Sequence, residues 1–189
     1  MTSTQTVLTT GTWTADAVHS DISFKVRHMA VGKARGDFDL KSATLTVGDG
    51  GFTDTKVVAE IDAASVETNN DQRNAHVQSP DFLDIANHPT ITFVSTEVRD
   101  FDGENFVLVG DLTIRGVTKQ IVLSAEFLGQ TVDAYGLTRA GFSATGSLNR
   151  REYGVNFTAA FGASNAVVAD KVEISLELEF TLDQAEQAN

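Results

Sequence analysis

Apolar and polar residues alternate along most of this chain, and the alternation is the main guide to its structure. From Ser20, Ile22, Phe24 and Val26 fall on one side of an extended strand, with Ser23, Lys25 and Arg27 on the other. Such a strand has one face in a core and one in water. His28 breaks the pattern, because it has the parity of the apolar face. Gly36, Phe38 and Leu40 oppose Asp37, Asp39 and Lys41 in a second strand. The phase slips between Ala43 and Val47, which predicts a bulge there. Val57, Ala59, Ile61 and Ala63 form a third apolar face. Later faces are Ile91 with Phe93, then Phe106 to Ile114, Ile121 to Phe127 and Ala140 to Leu148. The last strand is the cleanest, with Val172, Ile174, Leu176, Leu178 and Phe180 opposing Glu173, Ser175, Glu177 and Glu179.

Residues 68–89 have no period of two. Thr68 with Asp71 fits a capping box, with Asn69 and Asn70 as alternative caps, and a helix of about two turns is predicted to Gln78. Ser79-Pro80 then starts a short turn around Phe82 and Leu83. An insertion of this kind is either a lid over a site or a crossover packed outside. The chain is thus predicted to be all-β, with about eight antiparallel strands and one helical excursion. A closed barrel of eight strands removes sheet edges and has room for side chains or one small ligand. The small inward residues Ala59, Ala63, Gly110, Ala125, Ala144 and Gly146 suggest room for a ligand. Residues 1–12 read as a flexible segment, 13–182 as a single domain and 183–189 as a flexible tail.

Composition narrows the function. A net charge of −12 argues against a general nucleic-acid binder and against docking on anionic lipid by overall charge alone. Cysteine is absent, which removes disulfides and thiolate chemistry. No stretch approaches the roughly 20 apolar residues of a membrane helix. The N-terminus has neither a basic region nor an apolar run, so the cytoplasm is the expected location. The histidines, His19, His28, His76 and His88, lack metal-ligand spacing, and no nucleophile elbow or phosphate loop occurs. No catalytic residue, metal or cofactor is therefore expected. Arg150 continues an apolar parity, so it must meet a carboxylate, a carbonyl or a ligand phosphate. Of these, a structural salt bridge at the rim is favoured by the residues alone.

Taken together, the chain resembles the YceI-like family of polyisoprenoid-binding, lipocalin-like proteins from about Trp13 to Phe180. The resemblance is carried by Asp16 with His19-Ser20, Phe24-x-Val26-x-His28-Met29 and Gly36-x-Phe38. It continues through Ser65-Val66-x-Thr68, Arg73 with His76, and Ser79-Pro80-Asp81-Phe82-Leu83-Asp84. Pro89-x-Ile91-x-Phe93, Gly110 to Thr118 and Asn149-Arg150 before Tyr153-Gly154 complete it. Asn74 and Tyr153 depart from the family pattern, as does the missing export signal. The resemblance implies a lipocalin-like eight-stranded barrel around a long apolar pocket for an isoprenoid, such as a quinone or a prenyl pyrophosphate.

The expected function is binding, sequestration or transport of that lipid, with no nucleic-acid partner and no integral membrane segment. A homodimer is compatible with the sequence. The residues expected to line the pocket are Phe24, Val26, His28 and Phe38 from the first strands and Phe93 from the middle of the chain. Phe106, Leu108, Leu112, Phe142, Ala144 and Arg150 complete the set. Two alternatives stand beside it: an enzyme acting on a lipid-like substrate through His28 and Arg150, and an interaction protein whose barrel is filled by side chains.

Overall fold

The computed structural model describes residues 7–161 and 165–183. Its strands are β1 (Gly11–Ala15), β2 (Asp21–His28), β3 (Gly32–Phe38), β4 (Leu40–Val47), β5 (Thr55–Asp62) and β6 (Thr90–Arg99). They continue with β7 (Asn105–Ile114), β8 (Val117–Val132), β9 (Thr138–Asn149), β10 (Ala160–Phe161), β11 (Asn165–Ala166) and β12 (Val168–Leu182). The helix α1 spans Asp71–Gln78. β1 and β2 are one strand bent at a 3-10 turn over Ala17–His19, where the Asp16 side chain accepts from the Val18 N–H at 3.1 Å. Only Asp39 separates β3 from β4. The large sheet therefore behaves as eight antiparallel strands in the order β1/β2, β3/β4, β5, β6, β7, β8, β9, β12. It closes because β12 pairs with β9 on one edge and, on the other, with β2 and then β1.

The bulge falls slightly earlier than the phase slip predicts. Leu40 pairs with Ile61 and Ser42 with Glu60, so the extra residue lies between Leu40 and Ser42. That insertion turns Ala43, Leu45 and Val47 inward, and all three are buried. The helix cap also differs from the capping box. Asn70 caps α1, its side chain accepting from the Arg73 N–H at 2.8 Å. Thr68 is held instead by Asn74 Oδ1, which accepts from its N–H at 2.8 Å and its hydroxyl at 2.6 Å. Asn74, a departure from the family pattern, thus ties the helix to the segment that leads into it.

Residues 8–12, expected to belong to a flexible segment, are held against the barrel. Leu8 is buried, Thr9 N–H donates to Gln130 Oε1 at 2.9 Å, and β1 begins at Gly11. Trp13 is 0 % exposed and donates its indole N–H to Thr9 O at 3.0 Å. Most of residues 1–12 and 183–189, namely 1–6 and 184–189, lie outside the described residues.

The barrel has two unlike halves. At the closed end, by β1, Phe52, Phe101, Phe106, Phe127, Phe142 and Phe180 pack ring on ring. Phe52 stacks on Phe101 with centroids 3.7 Å apart, and Phe142 meets Phe127 at 5.2 Å and Phe180 edge-on at 5.9 Å. Such contacts favour offset and edge-on geometry and fill space densely. Away from that end the inward residues Leu108, Leu148 and Ile174 are only half-buried. They border open volume, and the opposite end is the mouth.

A lipid-sized apolar cavity under a helical lid

The cavity measures about 450 Å³ and opens at the mouth end. Its wall is built from inward positions of the strands. Val172, Ile174, Leu176 and Leu178 contribute from β12, Ile22, Phe24 and Val26 from β2, and Ile91 and Phe93 from β6. The β12 positions are six residue steps apart from first to last, about 20 Å at 3.3 Å per step. Arg27, His28 and Arg73 line the cavity and are also exposed, so they mark its opening.

The helical excursion lies on the cavity, as a lid would. Thr68, Arg73, His76, Val77, Phe82 and Leu83 all line it. Arg115, in the β7–β8 turn, donates to Pro80 O at 2.5 Å and Phe82 O at 2.7 Å and so holds the lid to the rim. Phe82 meets Phe157 at 4.9 Å, and the His76 ring stands edge-on to both, at 5.0 and 4.9 Å. His76 Nε2 lies 2.9 Å from Asp81 Oδ2. This carboxylate fixes the ring within the aromatic cluster.

Of the residues expected to line a pocket, Phe24, Val26, His28, Phe38, Phe93, Leu108, Leu112 and Arg150 border the cavity. His28 sits at its rim, not inside the barrel, because it is the last residue of β2 and exposed. Phe106, Phe142 and Ala144 do not line it. Their parity is inward, but their level is that of the packed closed end, where each is buried. Arg150 is also placed differently. It does not continue β9 but opens a 3-10 turn (Arg150–Tyr153) capped by Asn149. It is 5 % exposed, and its guanidinium donates to Ala169 O, Val155 O and Val168 O at 3.0, 2.8 and 3.2 Å and to Asp170 Oδ1 at 3.1 Å. Desolvation pushes its pKa down, against the attraction of Asp170. Four of its five N–H donors hold the turn against the start of β12, the structural role favoured by the residues alone.

The small inward residues do not all enlarge the cavity. A Cβ at Gly110 would lie 2.4 Å from the Phe93 ring, one at Gly36 2.6 Å from the Phe24 ring, and one at Gly146 2.5 Å from Leu123 Cδ2. These glycines seat neighbouring side chains.

The lid residues Val77 and Leu83, with Tyr153, Val155 and Phe157, are cavity residues that strand periodicity passes over. They lie in turns and a short helix, where no period of two exists to read. At the closed end, Asp16, His19 and Glu179 bring three ligand atoms within 4.8 Å of one another. Arg139 already bridges the carboxylates, bonding Asp16 at 2.9 Å, Asp133 at 2.6 Å and also Glu179. The cluster is an ion-pair network that locks the barrel floor.

The family model for the YceI-like domain matches residues 13–180. A UPF0312 protein of Vibrio cholerae serotype O1 is 36 % identical over 149 residues, covering 79 % of this chain and 77 % of that protein. One from Staphylococcus epidermidis is 34 % identical over 169 residues, 89 % of this chain and 96 % of its own. Among solved structures, Burkholderia cenocepacia BcnA superposes with a TM-score of 0.74 at 22 % identity, over 87 % of this chain and 98 % of that one. A polyisoprenoid binding domain from Saccharophagus degradans, implicated in plant cell wall breakdown, superposes at 0.64 with 16 % identity, over 90 % and 98 %. Both show the same barrel. No helix among the described residues is long and apolar enough to cross a membrane.

Proposed function

This chain belongs to the YceI-like domain family, and from its cavity we propose that it binds an isoprenoid lipid, sequestering or carrying the prenyl chain inside the barrel. The carrying observation is the cavity itself, about 450 Å³ walled by aliphatic and aromatic side chains. That volume lies in the range of sites holding one small ligand. Each buried CH₂ stabilises binding by about 0.8 kcal/mol, so a prenyl chain is held without any reactive group. The Saccharophagus degradans neighbour, described as polyisoprenoid binding, supports the same reading.

The prenyl chain lies inward and the head group sits at the opening, among Arg27, His28 and Arg73. Arg150 does not serve as a bidentate anion clamp, because four of its five N–H donors are bonded to backbone carbonyls and Asp170. No cofactor enters this reading.

Mass spectrometry of an organic extract of the purified protein, beside titration with a short-chain quinone and a prenyl pyrophosphate, tests it. A co-purifying prenyl lipid, or saturable binding of either probe, is expected. An extract without lipid and no binding of either probe would favour a barrel serving only as an interaction scaffold. Chemical turnover of a bound prenyl lipid would instead favour an enzyme.

A further inference from the structure

The β2–β3 hairpin differs from the rest of the molecule in charge, in exposure and in turn chemistry. The chain has a net charge of −12, yet residues 22–36 hold Lys25, Arg27, Lys33 and Arg35 and no acidic residue. Strand register sets these cations against one another: Lys25 faces Arg35, and Arg27 faces Lys33. Like charges directly opposite destabilise a strand pair. Lys25 has a partner in Glu173 at 3.7 Å across the β12 ladder. Asp170, further along β12, is occupied by Arg150 and Arg151. Of the other acids on the hairpin strands, Asp21 lies six residues from Arg27 and Asp37 four from Lys33, at least about 13 Å at 3.3 Å per residue, whereas Asp37 is only two residues from Arg35. For Arg27 and Lys33 the separation exceeds the screening length of about 8 Å in physiological salt, so their end of the hairpin presents a positive field.

The tip is Met29-Ala30-Val31. Met29 and Ala30 have φ of 50° and 59°, a region that suits Gly or Asn and strains other L residues. Val31 is 94 % exposed. The backbone disfavours Met29 and Ala30, and water disfavours the exposed Ala30 and Val31; such local conflict is a mark of function. The hairpin also borders the opening, since Arg27, His28 and Ala34 line the cavity.

We propose that the β2–β3 hairpin is a membrane-docking element: Met29-Ala30-Val31 enters the interface of an anionic bilayer while Arg27, Lys33 and Arg35 meet its head groups. Docking there sets the cavity opening against the bilayer, the source of an isoprenoid. The proposal rests on the lipid-binding reading for its purpose, but the docking itself does not depend on cavity occupancy.

Co-sedimentation with vesicles tests it, using phosphatidylcholine alone and phosphatidylcholine mixed with phosphatidylglycerol. The protein is expected to bind the mixed vesicles and to lose that binding as salt rises. Lys33→Gln with Arg35→Gln, two exposed positions that do not border the cavity, is expected to weaken it about 25-fold, roughly fivefold for each charge. Val31→Ser is expected to weaken it about tenfold with an unchanged salt dependence. Equal binding to both vesicle types, no binding to either, or an unaltered K33Q/R35Q double variant would overturn the proposal. So would self-association of that variant with normal vesicle binding, since its charges would then only protect the β3 edge. Titration of the same variants in solution with a short-chain quinone and with a short-chain prenyl pyrophosphate separates the two readings, solution binding being binding of either probe. Solution binding without vesicle binding defeats docking alone, and vesicle binding without solution binding defeats the lipid cavity alone. Loss of both on neutralising Lys33 and Arg35 would assign them to a head-group site and overturn docking.

Discussion

Ala59 and Ala144 illustrate how one residue type at one parity does two jobs. Ala59 borders the cavity, whereas Ala144 is buried opposite Ala125 in the packed closed end. Ala144→Phe is therefore expected to cost about 1–3 kcal/mol in chemical denaturation, because the ring has no space to enter. Ala59→Phe should leave stability nearly unchanged and abolish binding of a prenyl probe, since its ring takes ligand volume. A stable Ala144→Phe protein, or an Ala59→Phe protein that binds normally, would contradict this division. Arg150 gives a third contrast. Arg150→Ala strands the carbonyls of Val155, Val168 and Ala169 and is expected to cost at least about 3 kcal/mol. It should weaken a neutral quinone and a prenyl pyrophosphate alike. Selective loss of the pyrophosphate ligand would instead show that Arg150 meets the head group.

The lid and the floor are the elements that give the barrel different ends. Phe82 and Leu83 come from a turn whose carbonyls are held by Arg115. Arg115→Ala should free that turn and speed release of a bound prenyl probe in stopped-flow measurements, with little change in melting temperature. At the floor, Arg139 holds Asp16 well below its ordinary 3.8, at about 2, aided by His19. A carboxylate with a depressed folded value stabilises the fold above its ordinary value and loses that contribution as pH falls. The acid transition of the protein should therefore steepen from about pH 3.8 towards 2. Arg139→Gln should move the onset of acid unfolding, followed by circular dichroism, to higher pH.

For the molecule as a whole, eight inward faces close a barrel, and the levels of its large residues divide it into a filled half and an open one. Rings from β7, β8, β9 and β12 meet beside β1, while aliphatic side chains dominate the other half. Circular dichroism should show mostly strand, with helix confined to about residues 71–78. The charge distribution is divided as well, with a basic hairpin on an acidic body.

The amino-acid sequence determined the strands, their inward faces and the place of the helix, because a period of two and a capping signal are local properties of the backbone. It also determined that His28 and Arg150 would stand apart from their neighbours. Tertiary structure alone decided how far along the barrel each inward residue sits. Parity names a face, but level depends on strand register and bulges, which arise between segments distant in the chain. Hence Phe93 and Phe106, alike in sequence pattern, fall on the cavity wall and in the packed floor. Tertiary structure also decided that Gly36, Gly110 and Gly146 are filled by neighbouring side chains, and that Arg150 turns back on backbone carbonyls. Each of these outcomes is a contact between residues that pairing brings together, and no single segment contains both partners.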